Sequence, residues 1–312
     1  MAPPNESMAG KVCLVTGATA GIGQVTAREL AQRGAVVVIV GRDRARCERT
    51  VEAIRRQTGN PAIESLRADL SSQAEVRRLA AEFLERYDRL DVLVNNAGAL
   101  FARRQESADG IEMTLALNHL AYFLLTNLLL DRLKASAPAR VVNVSSHAHE
   151  MVAGFDFDDP QGRKNAGRFW GYGQSRLGGL AFTLFAPMRH PALLQYARSK
   201  LANLLFTYEL ARRLEGTGVT VNSLHPGFVA SSFMAGNGAL GWFMRRWVGL
   251  FGTSVEEGAK TSVYLATSPE VAGTTGRYFA RQKAIESSLA SRDEESARRL
   301  WALSEELTVT RL

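Results

Sequence analysis

KVCLVTGATAGIG, residues 11–23, decides the fold. Lys11 to Thr16 is a short β-rich run, and the turn behind it holds Gly17, Gly21 and Gly23 before helical periodicity runs on to Arg33. Glycines between a strand and a helix permit a tight turn. They also let backbone N–H groups approach a pyrophosphate at the helix N-terminus. A glycine-rich turn alone is weak evidence, and its place directly after an apolar strand strengthens it considerably.

The segments that follow alternate in period. Ala35 to Val40 is an unbroken apolar run, the mark of a strand buried on both faces of a parallel sheet. A polar helix from about Asp43 to Thr58 leads to a strand at Ile63 to Arg67. A helix from Gln73 to Tyr87 leads to a strand at Leu90 to Val94, and one from about Asp109 to Lys134 to a strand at Arg140 to Val144. Further on come a helix at Tyr196 to Glu215, a strand at Val219 to Leu224, a helix at Val255 to Thr267 and a strand at Arg277 to Ala280. Ser287 to Thr308 reads as a peripheral helix. This order predicts an α/β fold, a doubly wound, Rossmann-type parallel sheet with right-handed crossovers. No linker divides the chain, so residues 1–312 form a single dinucleotide-binding domain.

Composition is that of a globular protein, 46% hydrophobic and 22% charged, long enough to bury a large core without covalent staples. Cys13 and Cys47 have neither metal-ligand nor redox spacing, and reduced thiols are expected. The net charge of +7 would suit nucleic acid or an anionic membrane. Yet arginines interleave with acids, as in Arg77, Arg78, Glu82, Glu85 and Arg86, which reads as a solvated face with no nucleic-acid partner. No run approaches the roughly 18 apolar residues of a membrane span, and Met1 to Gly10 carries no signal segment. A cytoplasmic protein is expected.

Spacing then identifies a family. The pattern TGxxxGIG at Thr16 to Gly23 differs from the GxGxxG of other dinucleotide folds and resembles that of the short-chain dehydrogenase/reductases. Asp69-Leu70 follows the third strand, Asn95-Asn96-Ala97-Gly98 the fourth, Ser145-Ser146 the fifth and Pro226-Gly227 the sixth, each matching a family element. The resemblance runs from about Gly10 to Leu307. Asn118-His119-Leu120, Ser199-Lys200-Leu201-Ala202-Asn203 and Leu224-His225-Pro226-Gly227 look most like the retinol-dehydrogenase-like branch. It does not extend to the membrane-anchoring N-terminus of some members, so retinoid activity is not assumed.

The resemblance implies a nicotinamide dinucleotide held by Gly17, Thr19, Gly21, Ile22, Gly23, Asp69, Leu70, Asn96, Ala97, Gly98, Pro226, Gly227 and Val229, together with Arg42, Tyr196 and Lys200. Where an NAD enzyme usually offers a carboxylate to the ribose 2′-OH, this chain has Gly41-Arg42. A guanidinium can hold a 2′-phosphate bidentately, so NADP(H) is favoured over NAD(H). Asp43 follows at once and could instead cap the next helix.

The implied catalytic residues are Asn118, Ser146, Tyr196 and Lys200. Tyr196 and Lys200 are four apart, on one helical face. A phenol with its ordinary pKa near 10 is a poor proton shuttle at neutral pH. The ammonium, with the positive nicotinamide, is expected to draw it down. By the same resemblance Ser146 orients the substrate oxygen, Lys200 holds the nicotinamide ribose and Asn118 positions a water.

One stretch departs from the family. Ser146 and Tyr196 are 50 positions apart, about twice the usual separation in this branch. The cause is a near-repeat: Tyr172, Ser175, Leu177, Leu180, Phe182 and Thr183 recur as Tyr196, Ser199, Leu201, Leu204, Phe206 and Thr207 at an offset of 24. Tyr172 has the better distance from Ser146 but is followed by Arg176, whose planar guanidinium does not replace an ammonium. Pro187 would also interrupt its helix. Tyr196 is therefore favoured, with an atypical insertion over about 155–195 beside the cleft. A cofactor-binding protein whose catalysis the repeat has impaired is the alternative.

Between about 228 and 252, Leu240, Phe243, Met244, Trp247, Val248 and Phe251 recur at helical spacing. A lid over a lipophilic small-molecule substrate is the favoured reading. A dimer or core contact comes next, and membrane contact is possible but not favoured. A homo-oligomer is expected by resemblance. His119 reads as a packed helix residue. His147, His149 and Glu150 on one short loop make poor tetrahedral geometry, so no metal is expected. The G-x-S-x-G elbow of hydrolases is not satisfied around Ser175.

Overall fold

Side chains on a strand alternate between faces, and β1 (Val12–Thr16) and β2 (Val36–Gly41) use that alternation to build two cores. Cys13, Val15, Val37 and Ile39 join one apolar cluster, while Leu14, Val38 and Val40 join the other. The computed structural model describes residues 7–101, 103–164, 191–227, 229 and 253–309. Residues 165–190, which carry Tyr172 and most of the expected insertion, lie outside them, as does all of the expected lid except Val229.

Among the described residues the remaining strands are β3 (Ile63–Arg67), β4 (Val92–Asn95), β5 (Ala139–Val144), β6 (Val219–His225), β7 (Arg277–Ala280) and β8 (Lys283–Ile285). They form one sheet of order β3-β2-β1-β4-β5-β6-β7-β8. All pairs are parallel except β7 with β8. The order reverses between β1 and β4, and at such a switch point a crevice opens beyond the carboxyl ends of the strands.

Helices cover both faces. α1 (Gly21–Gln32), α2 (Arg44–Thr58) and, later in the chain, Val255–Thr267 place Ala27, Leu30, Val51, Ile54, Leu265 and Ala266 against one face. On the other, Phe83 of α3 (Gln73–Arg86) packs in the same cluster as Phe123, Phe206 and Trp301. The solvent side of α3 carries Arg78 between Glu75 and Glu82 at 2.8 and 3.1 Å. Exposed pairs of this kind contribute little to stability, because solvent screens them.

The long helix expected from Asp109 to Lys134 is broken into pieces. Glu112 starts it, its buried carboxylate accepting the N–H groups of Thr114 and Leu115 at 2.9 and 2.8 Å. α4 (Met113–Leu115) then passes through a π turn, Ala116–Leu120, into α5 (Ala121–Leu128) and α6 (Leu130–Ala135). α7 (Pro191–Arg213) begins five residues ahead of Tyr196, with proline as its first residue, where a missing N–H costs nothing. α8 (Val255–Thr267) follows β6 in the chain, and α9 (Glu294–Thr308) comes after β8. A 3₁₀ turn, Leu289–Arg292, precedes α9 within the segment read as one helix from Ser287. β8 went unread because its three residues are all exposed and show no alternation.

Candidate active site

The turn from β1 into α1 is built around two left-handed glycines, Gly17 (φ 65°) and Gly21 (φ 59°). Gly17 also lies so near the end of β4 that a Cβ would stand 2.7 Å from Ala97 Cα. Thr16 and Asn96 sew these strand ends together. Thr16 Oγ1 accepts the N–H groups of Asn96 and Ala97 at 2.8 and 3.0 Å, and Asn96 Nδ2 donates to the Thr16 carbonyl at 2.8 Å. Asn96, implied as one of the residues that hold the dinucleotide, thus has its amide nitrogen committed to holding the turn.

A nicotinamide dinucleotide fits this cradle. Ala20, the residue capping α1, offers no side-chain hydrogen bond and the first turn holds no acid, so the helix N-terminus keeps its N–H groups for an anion. Thr19, Ile22 and Gly23 lie in the same turn, and Gly41 has no Cβ to strike Thr19 Cγ2, which would be 2.5 Å away. Arg42 stands exposed just past β2. Asp43 caps α2 instead, accepting the Arg46 N–H at 2.8 Å. Asp69 is exposed after β3 and holds its own turn through Ser71 N and Oγ at 3.0 and 2.7 Å, with Leu70 buried behind it. Pro226 and Gly227 follow β6. Gly258 on α8 lets Val229 Cγ2, the Pro226 carbonyl and Ile22 approach within 2.6, 3.2 and 3.4 Å of where a Cβ would lie.

Next to this cradle stand the four implied catalytic residues. Asn118 is fully buried in the π turn, and π turns recur at functional sites. Both N–H donors of its amide are used: Nδ2 donates to Ala99 O at 2.9 Å and to Ser199 Oγ at 3.1 Å, while Oδ1 accepts Ala99 N–H at 2.9 Å. Ser199 in turn donates to the Tyr196 carbonyl at 2.7 Å. Ser145 Oγ donates to the Lys200 carbonyl at 2.8 Å and ties α7 to β5. Ser146, the first residue beyond Ser145, accepts Ala148 N–H at 3.2 Å and shares a side-chain hydrogen bond with Tyr196.

Lys200 Nζ is buried, donates to the Val144 carbonyl at 3.0 Å, and lies 5.6 Å from the ring centre of Tyr196 and 5.9 Å from that of Tyr122. Burial lowers Lys200 to about 7. It also pushes Tyr196 up to about 12, opposed by the Ser146 hydrogen bond. The lowering expected from the ammonium together with the positive nicotinamide concerns the cofactor-bound chain; in the cofactor-free chain burial dominates. Lys200 Nζ stands 5.6 Å from the ring centre, and desolvation outweighs its influence.

Four histidines, His119, His147, His149 and His225, lie among the described residues. His119 is buried against Ser304 Oγ (2.9 Å) and Asn203 Oδ1 (3.4 Å), and burial lowers it to about 4, as suits a packed residue. His225 is also lowered to about 4, by burial and then by His147, His149 and Arg281. His149 has both ring nitrogens engaged, on Ser146 O and Ser288 N, and so cannot serve as a metal ligand in this arrangement.

Comparison with known proteins follows the geometry. The short chain dehydrogenase family model matches residues 11–155. Retinol dehydrogenase 13 of Homo sapiens is 42% identical over 98% of this chain and 86% of its own length. The chain belongs to the short-chain dehydrogenase family. This oxidoreductase falls in its retinol-dehydrogenase-like branch: retinol dehydrogenase 12 of Mus musculus is 41% identical over 97% of the chain and 88% of that protein. Among solved structures, a protein of Mycobacterium Paratuberculosis has a TM-score of 0.71 at 32% identity, covering 99% of this chain and 97% of that one. Pseudomonas aeruginosa RhlG, in an active-site complex with NADP, has a TM-score of 0.65 at 29% identity over 89% and 96%.

Three features of the dehydrogenase site escaped the sequence. The π turn has no residue signature of its own. Ser199 was read only as family likeness, although it is the link between Asn118 and α7. His149 was set aside with the metal reading, and nothing in its neighbours' identities shows that it is buried.

Proposed function

We propose that this short-chain dehydrogenase uses NADP(H) to interconvert an alcohol and a carbonyl on a lipophilic small molecule. The observation that carries the reading is the meeting of Ser146, Tyr196, Lys200 and Asn118 at the carboxyl ends of β5 and its neighbours, beside an uncapped α1 N-terminus. Gly17 through Gly23 would receive the pyrophosphate and Arg42 a 2′-phosphate, consistent with the NADP held by RhlG. The cofactor, when bound, supplies or accepts the hydride.

The chain's own residues handle the proton and the geometry. With its phenol near 12, Tyr196 is protonated at neutral pH and is the form that donates to a carbonyl oxygen. Ser146 donates a second hydrogen bond to that oxygen as charge builds on it. Lys200, near 7, is poised to gain or lose a proton and has donors left for ribose hydroxyls. Asn118 fixes Ala99 and Ser199, and the π turn around it interrupts the regular helical ladder where a water can bind. A lid over residues 228–252 and a cytoplasmic homo-oligomer complete the proposal. Among the described residues, no helix is long and apolar enough to cross a membrane.

The test is NADPH consumption with a panel of lipophilic aldehydes and ketones, comparing wild type, Tyr196→Phe and Tyr172→Phe. Loss of turnover in Tyr196→Phe alone supports the assignment. Loss in Tyr172→Phe alone moves catalysis to the first copy of the repeat. NADPH binding with no turnover by wild type favours a binding protein.

A further inference from the structure

Ser146 is followed by a 3₁₀ turn, His147–Met151, and the third residue beyond it, His149, is completely buried. His149 Nδ1 lies 2.8 Å from the Ser146 carbonyl oxygen, and Nε2 lies 3.2 Å from the backbone nitrogen of Ser288. A carbonyl can only accept and a backbone amide can only donate. The ring is therefore neutral, with its proton on Nδ1. Burial acts in the same direction by lowering the pKa of His149.

Both ends of this strut are anchored. At the far end, Ser287 Oγ bonds Tyr208 Oη of α7 at 2.6 Å and Ser291 Oγ at 2.7 Å, so the segment after β8 is fixed to the helix that carries Tyr196 and Lys200. The edge of Tyr278 meets the imidazole at 5.2 Å and leaves the ring little room to turn. At the near end the carbonyl belongs to Ser146 itself, whose own hydroxyl faces Tyr196.

We propose that His149 is a positioning residue: through its Nδ1–H bond to the Ser146 carbonyl it fixes the direction of the Ser146 hydroxyl toward Tyr196 and the substrate oxygen. This rests on the reading of Ser146 and Tyr196 given under the proposed function. The two bonds of the ring have different consequences. The one to Ser146 governs catalysis, while the one to Ser288 fastens the C-terminal segment.

Two near-isosteric substitutions separate them. In His149→Asn, the amide nitrogen reaches the place of Nδ1 and keeps the Ser146 bond. In His149→Gln, the longer amide reaches toward Nε2 and keeps the Ser288 bond. His149→Leu keeps neither, and Ser146→Ala serves as the reference. kcat and KM would be measured with NADPH and the best aldehyde of the panel, NADPH affinity by fluorescence titration, and Tm for each variant. The expected result is a kcat within about threefold of wild type for Asn and a fall of about 10- to 100-fold for Gln. NADPH affinity should stay unchanged in both. Equal kcat in the folded Asn and Gln variants, or losses that follow Tm instead of the Ser146 bond, would overturn the proposal. The Asn and Gln pair decides the matter even if the Leu variant does not fold. Wild-type turnover by Ser146→Ala would instead overturn the reading of Ser146 on which the proposal stands.

Discussion

Replacing Lys200 by methionine should stabilise the cofactor-free protein, and by an amount that depends on pH. Burial holds Lys200 near 7, against 10.5 for the free side chain. Between those values the unfolded chain carries a proton that the folded chain has lost, so stability rises with pH across the window. The penalty is present in full below about pH 7 and is gone above 10.5. At about 1.4 kcal/mol for each tenfold difference in proton affinity, it reaches at most about 5 kcal/mol. Methionine removes that penalty but leaves the Val144 carbonyl without its 3.0 Å partner. An unsatisfied buried acceptor costs about 1–3 kcal/mol. The net gain for Lys200→Met is thus about 2–4 kcal/mol at pH 6, falling to zero or reversing near pH 10. Urea unfolding followed by circular dichroism, stepped from pH 6 to pH 10 for both proteins, reads this directly. Groups that titrate in both, such as His225, cancel in the difference. A stability difference that does not vary with pH, or a wild type that is the more stable at pH 6, would refute the reasoning.

Tyr196→Phe should lower turnover by about 10²- to 10⁴-fold and leave NADPH affinity within about twofold of wild type, since the phenol acts on the proton; steady-state kinetics with fluorescence titration checks both. Arg42→Ala should weaken NADPH by about 10- to 100-fold, the worth of a charge-assisted bond, and leave NADH nearly unchanged; the ratio of kcat/KM for the two cofactors is the readout. Gly17→Ala combines a left-handed backbone at 65° with a Cβ 2.7 Å from Ala97 Cα. It should cost about 2–4 kcal/mol in urea unfolding and abolish NADPH binding, because the turn can relax only by moving away from β4.

What the chain reveals in its sequence depends on how local each signal is. β2 shows five of six residues buried, and an apolar run like Val36 to Val40 can be read without any partner in view. The glycine turn and the Tyr196–Lys200 spacing are equally local: the turn lies between β1 and α1, and the two residues lie one turn apart on α7. β8 and the π turn are not local: one is an exposed three-residue strand defined only by its pairing with β7, the other a shift in backbone hydrogen bonding. The surroundings of Tyr196 in the cofactor-free chain are not local either. Two residues four apart share a face, but the Lys200 ammonium is also held by the Val144 carbonyl, on a different element.

α9 has a consequence for biosynthesis. Trp301 closes the aromatic cluster over Phe123 at 4.9 Å and Phe206 at 5.9 Å, and Ser304 completes the hydrogen bonding of His119 across 185 residues. The carbonyl of Leu307 is met by Gln73, 234 residues earlier. As the chain leaves the ribosome, the nucleotide cradle can form early, while the aromatic floor beneath the Asn118 turn stays open until α9 emerges. Throughout that interval Phe123 and Phe206 lack the cover of Trp301, and the nascent chain offers an apolar patch to chaperones and to other nascent chains.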